Sequence, residues 1–388
     1  VTAQVLPPSS GHAAPLLGAD ALRQISYAPD SHPGYWRHVL EHGTASVATN
    51  LTGTPGILES GGVPWPILLS DTPQGASYPT SLHTQYSAYP ASELHLVPGR
   101  LQQFGAGIGL KGLGVLLRSG SVDHWVQWSS WLLSTNLHHP TLRDAIPDVT
   151  NRLADAFPDR AILIRSIDGF LDPDLPSAFV RAGYRIVVSR QVYFFDGREP
   201  DYLTRSTVKR DLKELRALKD YVLVEHDDLK SDDAPRITEL YRQLYIAKHS
   251  PLNPHYTVGF VAEALRHRWL EFRGLRHASG RLDGIYACFR QGGCTSTPFI
   301  GYDTSLPPDP GLYRMLVSML IKDVAERGLV LNYSSGAGEF KRRRGARPCL
   351  EFNALFDRHL PPHRRAANAI LERLANGPGR RFLEANEV

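Results

Sequence analysis

The chain has 388 residues, too many for one ordinary core and suited to two domains of about 150 to 200 residues each. With 42% hydrophobic and 21% charged residues it is neither disordered nor fibrous, and no run approaches the ~18 apolar residues of a membrane helix. The net charge of +4 does not by itself mark a nucleic-acid binder, and Cys288, Cys294 and Cys349 are odd in number and lack ligand spacing, so no disulfide framework or metal site is expected.

Val1–Gly18 lacks a basic stretch followed by an apolar one, so a cytoplasmic location is the expectation. Residues 1–33, rich in Pro, Gly, Ser and Ala, read as an extended lead-in. From Tyr35 to about Pro90, short apolar runs broken by Gly and Pro suggest a sheet with irregular loops. Trp125, Trp128, Trp131 and Leu132 recur at three- and four-residue spacing, which predicts one stripe of a helix, and Ile146–Phe157 continues in helical style. Ala161–Ser166 then reads as a strand buried on both faces, Pro176–Ala182 as a short helix and Tyr184–Phe195 as a strand.

A charged helix over Arg205–Asp220 opens the second half, which fixes a boundary near Gly197–Thr207 and expected domains of 34–203 and 204–388. Tyr221–Glu225 is a strand, and the stripe Ile237, Leu240, Tyr241, Leu244 and Tyr245 predicts an amphipathic helix, followed by another over Val258–Arg268. Three strands come next, Leu270–Arg276, Gly284–Arg290 and Thr295–Tyr302, with Ser279-Gly280 and Gly292-Gly293 as turns. Leu312, Met315, Leu316, Met319, Leu320 and Val324 predict a long helix ending at Gly328, and Leu329–Asn332 and Leu350–Phe356 are the last strands. Between these two strands lies Ser334–Arg347, glycine-punctuated and basic, where a plain connection needs only a few residues.

The element order of the second half, together with Leu331-Asn332-Tyr333-Ser334-Ser335-Gly336, Glu339-Phe340-Lys341 and the basic run to Gly345, resembles the GNAT superfamily of acyltransferases. Within it, the likeness is to FemABX-like enzymes, which take an amino acid from charged tRNA, and to related GNAT N-acyltransferases, both commonly built as tandem halves. The resemblance implies an α/β (α+β) fold of two tandem GNAT-like domains, each a mixed, mostly antiparallel sheet flanked by helices, with the active site in the C-terminal domain. It departs from the usual acetyl-CoA pattern at Ser305-Leu306-Pro307-Pro308-Asp309-Pro310-Gly311, where prolines remove N–H donors and Asp309 repels phosphate.

Acyl transfer to an amine passes through an oxyanion, which requires positive charge or N–H donors at the carbonyl. The resemblance makes Lys341 the electrostatic candidate, beside Phe340 and Glu339. Tyr333, Ser334, Ser335, Gly336, Tyr302 and Asp303 are expected to line the donor site, and Arg342, Arg343, Arg344 and Arg347, with Lys209 and Arg210, to face phosphate. Asp303, Glu339 and His359 are the candidate bases, although an amine substrate needs no dedicated one. The expected reaction is transfer of an aminoacyl group from aminoacyl-tRNA to an amine or hydroxylamine, with no tightly bound cofactor. The alternatives are an acetyl-CoA or other acyl-CoA donor, and a GNAT-fold binding protein without catalysis.

Gly107–Gly112 matches GxGxxG without its flanking elements or a suitably placed acid and reads as a glycine-rich loop. His138-His139 and His255 lack partner ligands and read as solvent-facing.

Overall fold

The computed structural model describes residues 32–71, 76–97, 99–307 and 311–386. Most of the expected lead-in, and Pro308-Asp309-Pro310 of the proline-rich loop, lie outside these residues. In chain order the elements are α1 (Pro33–His42), β1 (Thr54–Ser60), β2 (Val63–Asp71), α2 (Tyr89–Ser92), α3 (Arg100–Ser119), β3 (His124–Trp128), α4 (Leu142–Ala156), β4 (Ala161–Ile167), α5 (Leu175–Arg181) and β5 (Arg185–Asp196). They continue as α6 (Ser206–Ala217), β6 (Tyr221–Val224), α7 (Ala234–Tyr241), α8 (Val258–His267), β7 (Glu271–His277), β8 (Leu282–Gln291), β9 (Cys294–Tyr302), α9 (Leu312–Glu326), β10 (Val330–Asn332), α10 (Gly338–Arg342), β11 (Arg347–Phe356), α11 (Pro362–Leu374) and α12 (Arg380–Asn386).

The chain forms two compact units that do not follow one cut: residues 1–190, 252–254 and 350–386 make the first, and 191–251 with 255–349 the body of the second. The division falls inside β5, and β11 returns the chain to the first unit. Along the chain one pattern occurs twice, in which antiparallel strands lead into a crossover helix, a parallel strand, a short helix and a closing strand.

In the first unit β1, β2 and β3 are antiparallel neighbours, α4 crosses over, and β4 runs parallel to β3 through Trp125–Gln127 and Ala161–Leu163. β11 then pairs antiparallel with the other edge of β4. One face of this sheet packs Ile67, Val126, Trp128, Ile162, Ile164 and Ala354 against α4 and α5 through Ile146, Val149, Leu153 and Phe179. Trp125 and Trp128 therefore stand on a strand and not on the helix their spacing suggested. They point to opposite faces, and because both faces are covered both are buried. Gly107–Gly112 is likewise not a loop but part of α3. Glycine serves close packing in this helix: a Cβ at Gly114 would come within 2.6 Å of Ser87 Oγ.

In the second unit the last residues of β5 pair with β10, which runs parallel to β9, and β8, β7 and β6 continue the sheet antiparallel. α9 is the crossover helix, and its Met315, Leu316, Leu320 and Val324 are buried against Leu275, Tyr286, Phe195 and Leu331. On the opposite face α7 lies so close to β9 that a Cβ at Gly301 would sit 2.5 Å from the backbone carbon of Leu240. The stripe read as a single helix over residues 237–245 is α-helical to Tyr241 and continues as a π-helical turn over Arg242–His249.

Candidate active site in the second unit

β9 and β10 pair as parallel strands only through Cys294–Ser296 and Val330–Asn332. Past Asn332 the chain keeps to β5, with Tyr333 N–H donating to Tyr193 O at 2.7 Å and Tyr193 N–H to Ser334 O at 3.2 Å. β9 runs on through Pro298, which has no N–H needing a partner on that edge. The two strands thus part at their carboxyl ends, where open α/β sheets hold ligands. Ser296 Oγ on β9 and the Tyr333 hydroxyl just after β10 are buried there without hydrogen-bond partners.

The segment leaving β10 is tightly bent. Ser334, Gly336 and Ala337 all have positive φ (59°, 76° and 52°), an arrangement that costs free energy at the two non-glycine positions. Asn332 Oδ1 accepts the Ser334 N–H at 2.9 Å, and the first turn of α10 brings Lys341 back beneath the bend. The buried Lys341 ammonium donates to the carbonyls of Tyr333 (2.8 Å), Ser334 (3.1 Å) and Ser335 (2.7 Å), with the Tyr193 and Tyr333 rings on its flanks. Three carbonyls match the three donors of an ammonium. Lys341 thus holds the strained Ser334–Gly336 bend in place, while Phe340 lies beside Tyr313 and under the Arg344 guanidinium.

Arg344 departs from the phosphate-facing expectation. It is buried, donates to the Phe340 carbonyl at 2.8 Å and forms an ion pair with the equally buried Asp211 of α6. A buried pair of this kind resists loss of either partner, because the survivor is left charged in a dry site. Asp211 was missed from sequence, yet it shares a helix face with Val208, Leu212 and Leu215, and a lone acid in an apolar stripe signals a buried cationic partner. The pair ties α10 to α6 and brings the two basic clusters of the sequence together. Lys209 and Arg210 on α6, Arg342 at the end of α10 and Arg343 just after it are exposed around it. Arg343 pairs with Glu339, Arg347 with Glu199, and Arg210 lies 3.8 Å from Glu214.

The candidate bases are not gathered here. Asp303 is buried and accepts Arg236 at 2.7 Å and the Ser305 N–H at 3.0 Å. Burial pushes its pKa up, but the Ser305 hydrogen bonds and the Arg236 charge outweigh that and leave it below the usual carboxylate value. A carboxylate so held is a poor proton acceptor at neutral pH. Glu339 is exposed and ion-paired, and His359 belongs to the first unit, where its Nε2 meets the Arg160 carbonyl at 2.7 Å. Tyr302 is half-buried, lies tilted beside Tyr313 and accepts from the Lys248 ammonium at 3.4 Å. Burial, with the nearby Tyr302, pushes the Tyr313 hydroxyl up to about 12, so Tyr313, which sits between Tyr302 and Phe340, is neutral at pH 7.

In the first unit, His138 is not solvent-facing. It is half-buried, accepts the Ser129 hydroxyl at Nδ1 (2.9 Å) and donates from Nε2 to the Ser166 carbonyl (3.2 Å). His139 keeps a looser place beside Thr141.

No family model matches the chain, and no curated protein does. Among solved structures, FemX overlaps at a TM-score of 0.49 with 8% identity, over 83% of this chain and 91% of that one. A tandem GNAT protein from the clavulanic acid biosynthesis pathway overlaps at 0.41 with 12% identity, over 88% and 97%. L-PGS from Bacillus licheniformis overlaps at 0.42 with 12% identity, over 59% and 79%. Overlaps this loose say nothing of activity. The strand order, the parallel pair at each crossover and the duplication give the chain a GNAT-like fold in tandem, the kind to which the sequence resemblance pointed.

Proposed function

We propose that the protein is an N-acyltransferase that takes an aminoacyl group from the acceptor end of a charged tRNA and passes it to an amine of a small molecule or precursor. The observation that carries the reading is the Arg344–Asp211 ion pair, which joins α6 to α10 and so sets exposed Lys209, Arg210, Arg342 and Arg343 around one point of the second unit. A polyphosphate chain is the partner such a patch suits. The adjoining strand gap supplies the reaction centre, with the Ser334–Gly336 bend at its rim.

In this reading Lys341 is a positioning residue. Its charge lies under the bend and polarises the three peptide groups whose carbonyls it holds. The ester carbonyl of the donor sits at the bend, and the incoming amine attacks it. The amine proton leaves to water or to the departing 3′-oxygen, so that one ester bond breaks as one amide bond forms.

The test is a transfer screen on the full chain with labelled aminoacyl-tRNAs, acetyl-CoA and an amine library. Wild type is compared with Lys341→Met and with the double charge reversal Lys209→Glu/Arg210→Glu. Label leaving tRNA with wild type, at least tenfold less with Lys341→Met, and a shallower salt dependence for the charge reversal at unchanged melting temperature are the expected results. Turnover of acetyl-CoA alone would replace the donor. Transfer from neither, with RNA still bound, would replace the reading by a non-catalytic one.

A further inference from the structure

The sheet of the first unit has a second face, turned away from Val126, Trp128, Ile162 and Ile164. Strand alternation and register place Gln127 of β3, Arg165 of β4, and Glu351 and Asn353 of β11 on it. All four are at least 98% buried, an unusual polar band across the middle of a sheet.

Half of the band is accounted for. Glu351 accepts Arg190 Nε at 2.8 Å and Nη2 at 3.1 Å, and the same Arg190 reaches Ser134 O and Thr135 Oγ1. Asn353 Nδ2 donates to Gln85 Oε1 (2.9 Å) and lies 3.0 Å from the Tyr86 hydroxyl. Both partners belong to the π-helical turn Thr84–Ala88, a rare conformation that recurs at functional sites.

The other half is not. Arg165 makes one hydrogen bond, to Pro79 O at 3.2 Å, and lies 5.7 Å over the Tyr78 ring, but no carboxylate pairs with it among the described residues. Glu351 is near enough to attract Arg165 but spends its hydrogen bonds on Arg190, and a buried guanidinium left to share a carboxylate with a second arginine is a costly arrangement. Around it Arg165 Nε, both polar atoms of Gln127, Asn353 Oδ1 and Asn136 Nδ2 are buried and unpartnered. The cluster lies beside the carboxyl ends of the parallel pair β3 and β4.

We infer that the first unit binds a small carboxylate-bearing molecule, whose carboxylate pairs with Arg165 and whose remaining polar groups meet Gln127, Asn136 and Asn353. Guanidinium matches carboxylate in charge and in planar two-pronged geometry. The acceptor atoms left open, Gln127 Oε1 and Asn353 Oδ1, suit a ligand that also carries an amino group, such as a free amino acid. This binding does not depend on the transferase reading of the second unit.

The experiment is thermal melting and calorimetric titration of the full chain at constant ionic strength. Acetate, succinate and glycine are the probes, with acetamide and inorganic phosphate beside them, on wild type, Arg165→Met and Arg165→Lys. A wild-type melting temperature that rises with the logarithm of carboxylate concentration, no response to acetamide, and at least tenfold weaker binding in both variants are expected. Ligand-free Arg165→Met should melt no lower than wild type, since it removes a charge that the shared Glu351 only partly compensates, whereas a purely structural arginine would leave it less stable. A carboxylate response that survives in Arg165→Met, a response to phosphate alone, or no saturable response of wild type to any carboxylate would each overturn the assignment. If Arg165→Met does not fold, Arg165→Lys and the wild-type titrations decide the matter between them.

Discussion

His138 illustrates how much a residue's surroundings decide. Burial, against the opposing pull of the Ser166 and Arg165 backbone groups, lowers its pKa to about 4 from an ordinary 6.5, so the ring is neutral in the folded chain at pH 7. Its depressed folded value means the unfolded chain takes up the proton first as pH falls. The stability it contributes is therefore full above about 6.5 and lost on the way down to about 4. Asp168 works in the opposite sense. Burial raises its pKa to about 7, so it favours the folded state increasingly as pH falls from 7 toward 3.8. Chemical denaturation at pH 7.5 and 4.5 should show His138→Gln losing less stability than wild type on acidification, and an equal loss in the two proteins would refute the linkage. Sequence alone revealed neither group, because two adjacent histidines without ligand spacing look like surface. The same blindness applied to Arg344. A run of four basic residues does not say that Arg344 turns inward along with Lys341, and only Asp211, out of place on an apolar stripe, carried the hint.

Elements of the second unit were legible where a single period ran long enough. The stripe from Leu312 to Val324 and the three strands before it stand where their patterns put them, because the apolar stripe of α9 packs on the sheet and the strands are apolar runs bounded by the glycine turns at Ser279-Gly280 and Gly292-Gly293. Periodicity failed where burial was two-sided or the pitch changed. Trp125 and Trp128 are both buried on a strand, so alternation left no polar gap to read, and the π-helical turn after Tyr241 carries the stripe of α7 onward at a different pitch. The approach of α7 to β9 offers a direct check. Because a methyl at Gly301 would meet the Leu240 and Tyr241 backbone, which cannot swing aside as a side chain does, Gly301→Ala should cost about 1–3 kcal/mol. Denaturant unfolding measures it, and a change below about 0.5 kcal/mol, within the usual surface range, would mean the helix can lift freely.

At the scale of the molecule, duplication was visible as a repeated order of elements, but the path of the closing strands was not. Composition suggested a boundary near residue 204, whereas membership of a sheet depends on pairing between residues far apart, which no local pattern encodes. The first unit draws on Leu350–Asn386, so a fragment of residues 32–203 lacks β11 and α11. Such a fragment should give no cooperative melting transition and little amide protection in β4, while the same fragment mixed with residues 204–388 should recover both. A cooperative transition in the fragment alone would show that β4 is stable without its antiparallel neighbour.

That borrowed strand also sets a timetable for synthesis. When Arg190 has left the ribosome, about 160 residues must still be made before Leu350 can reach the edge of β4. At ~5–20 residues per second the wait is on the order of ten seconds or more, long against the folding time of most small domains. Throughout it the nascent chain shows an unpaired strand edge that opens on the apolar run Ala161–Ile164, a feature prone to wrong pairing. Yield in a cell should therefore depend on the chaperones that meet the chain as it emerges and on the rate of translation between Gln191 and Leu350 as much as on the stability of the finished fold.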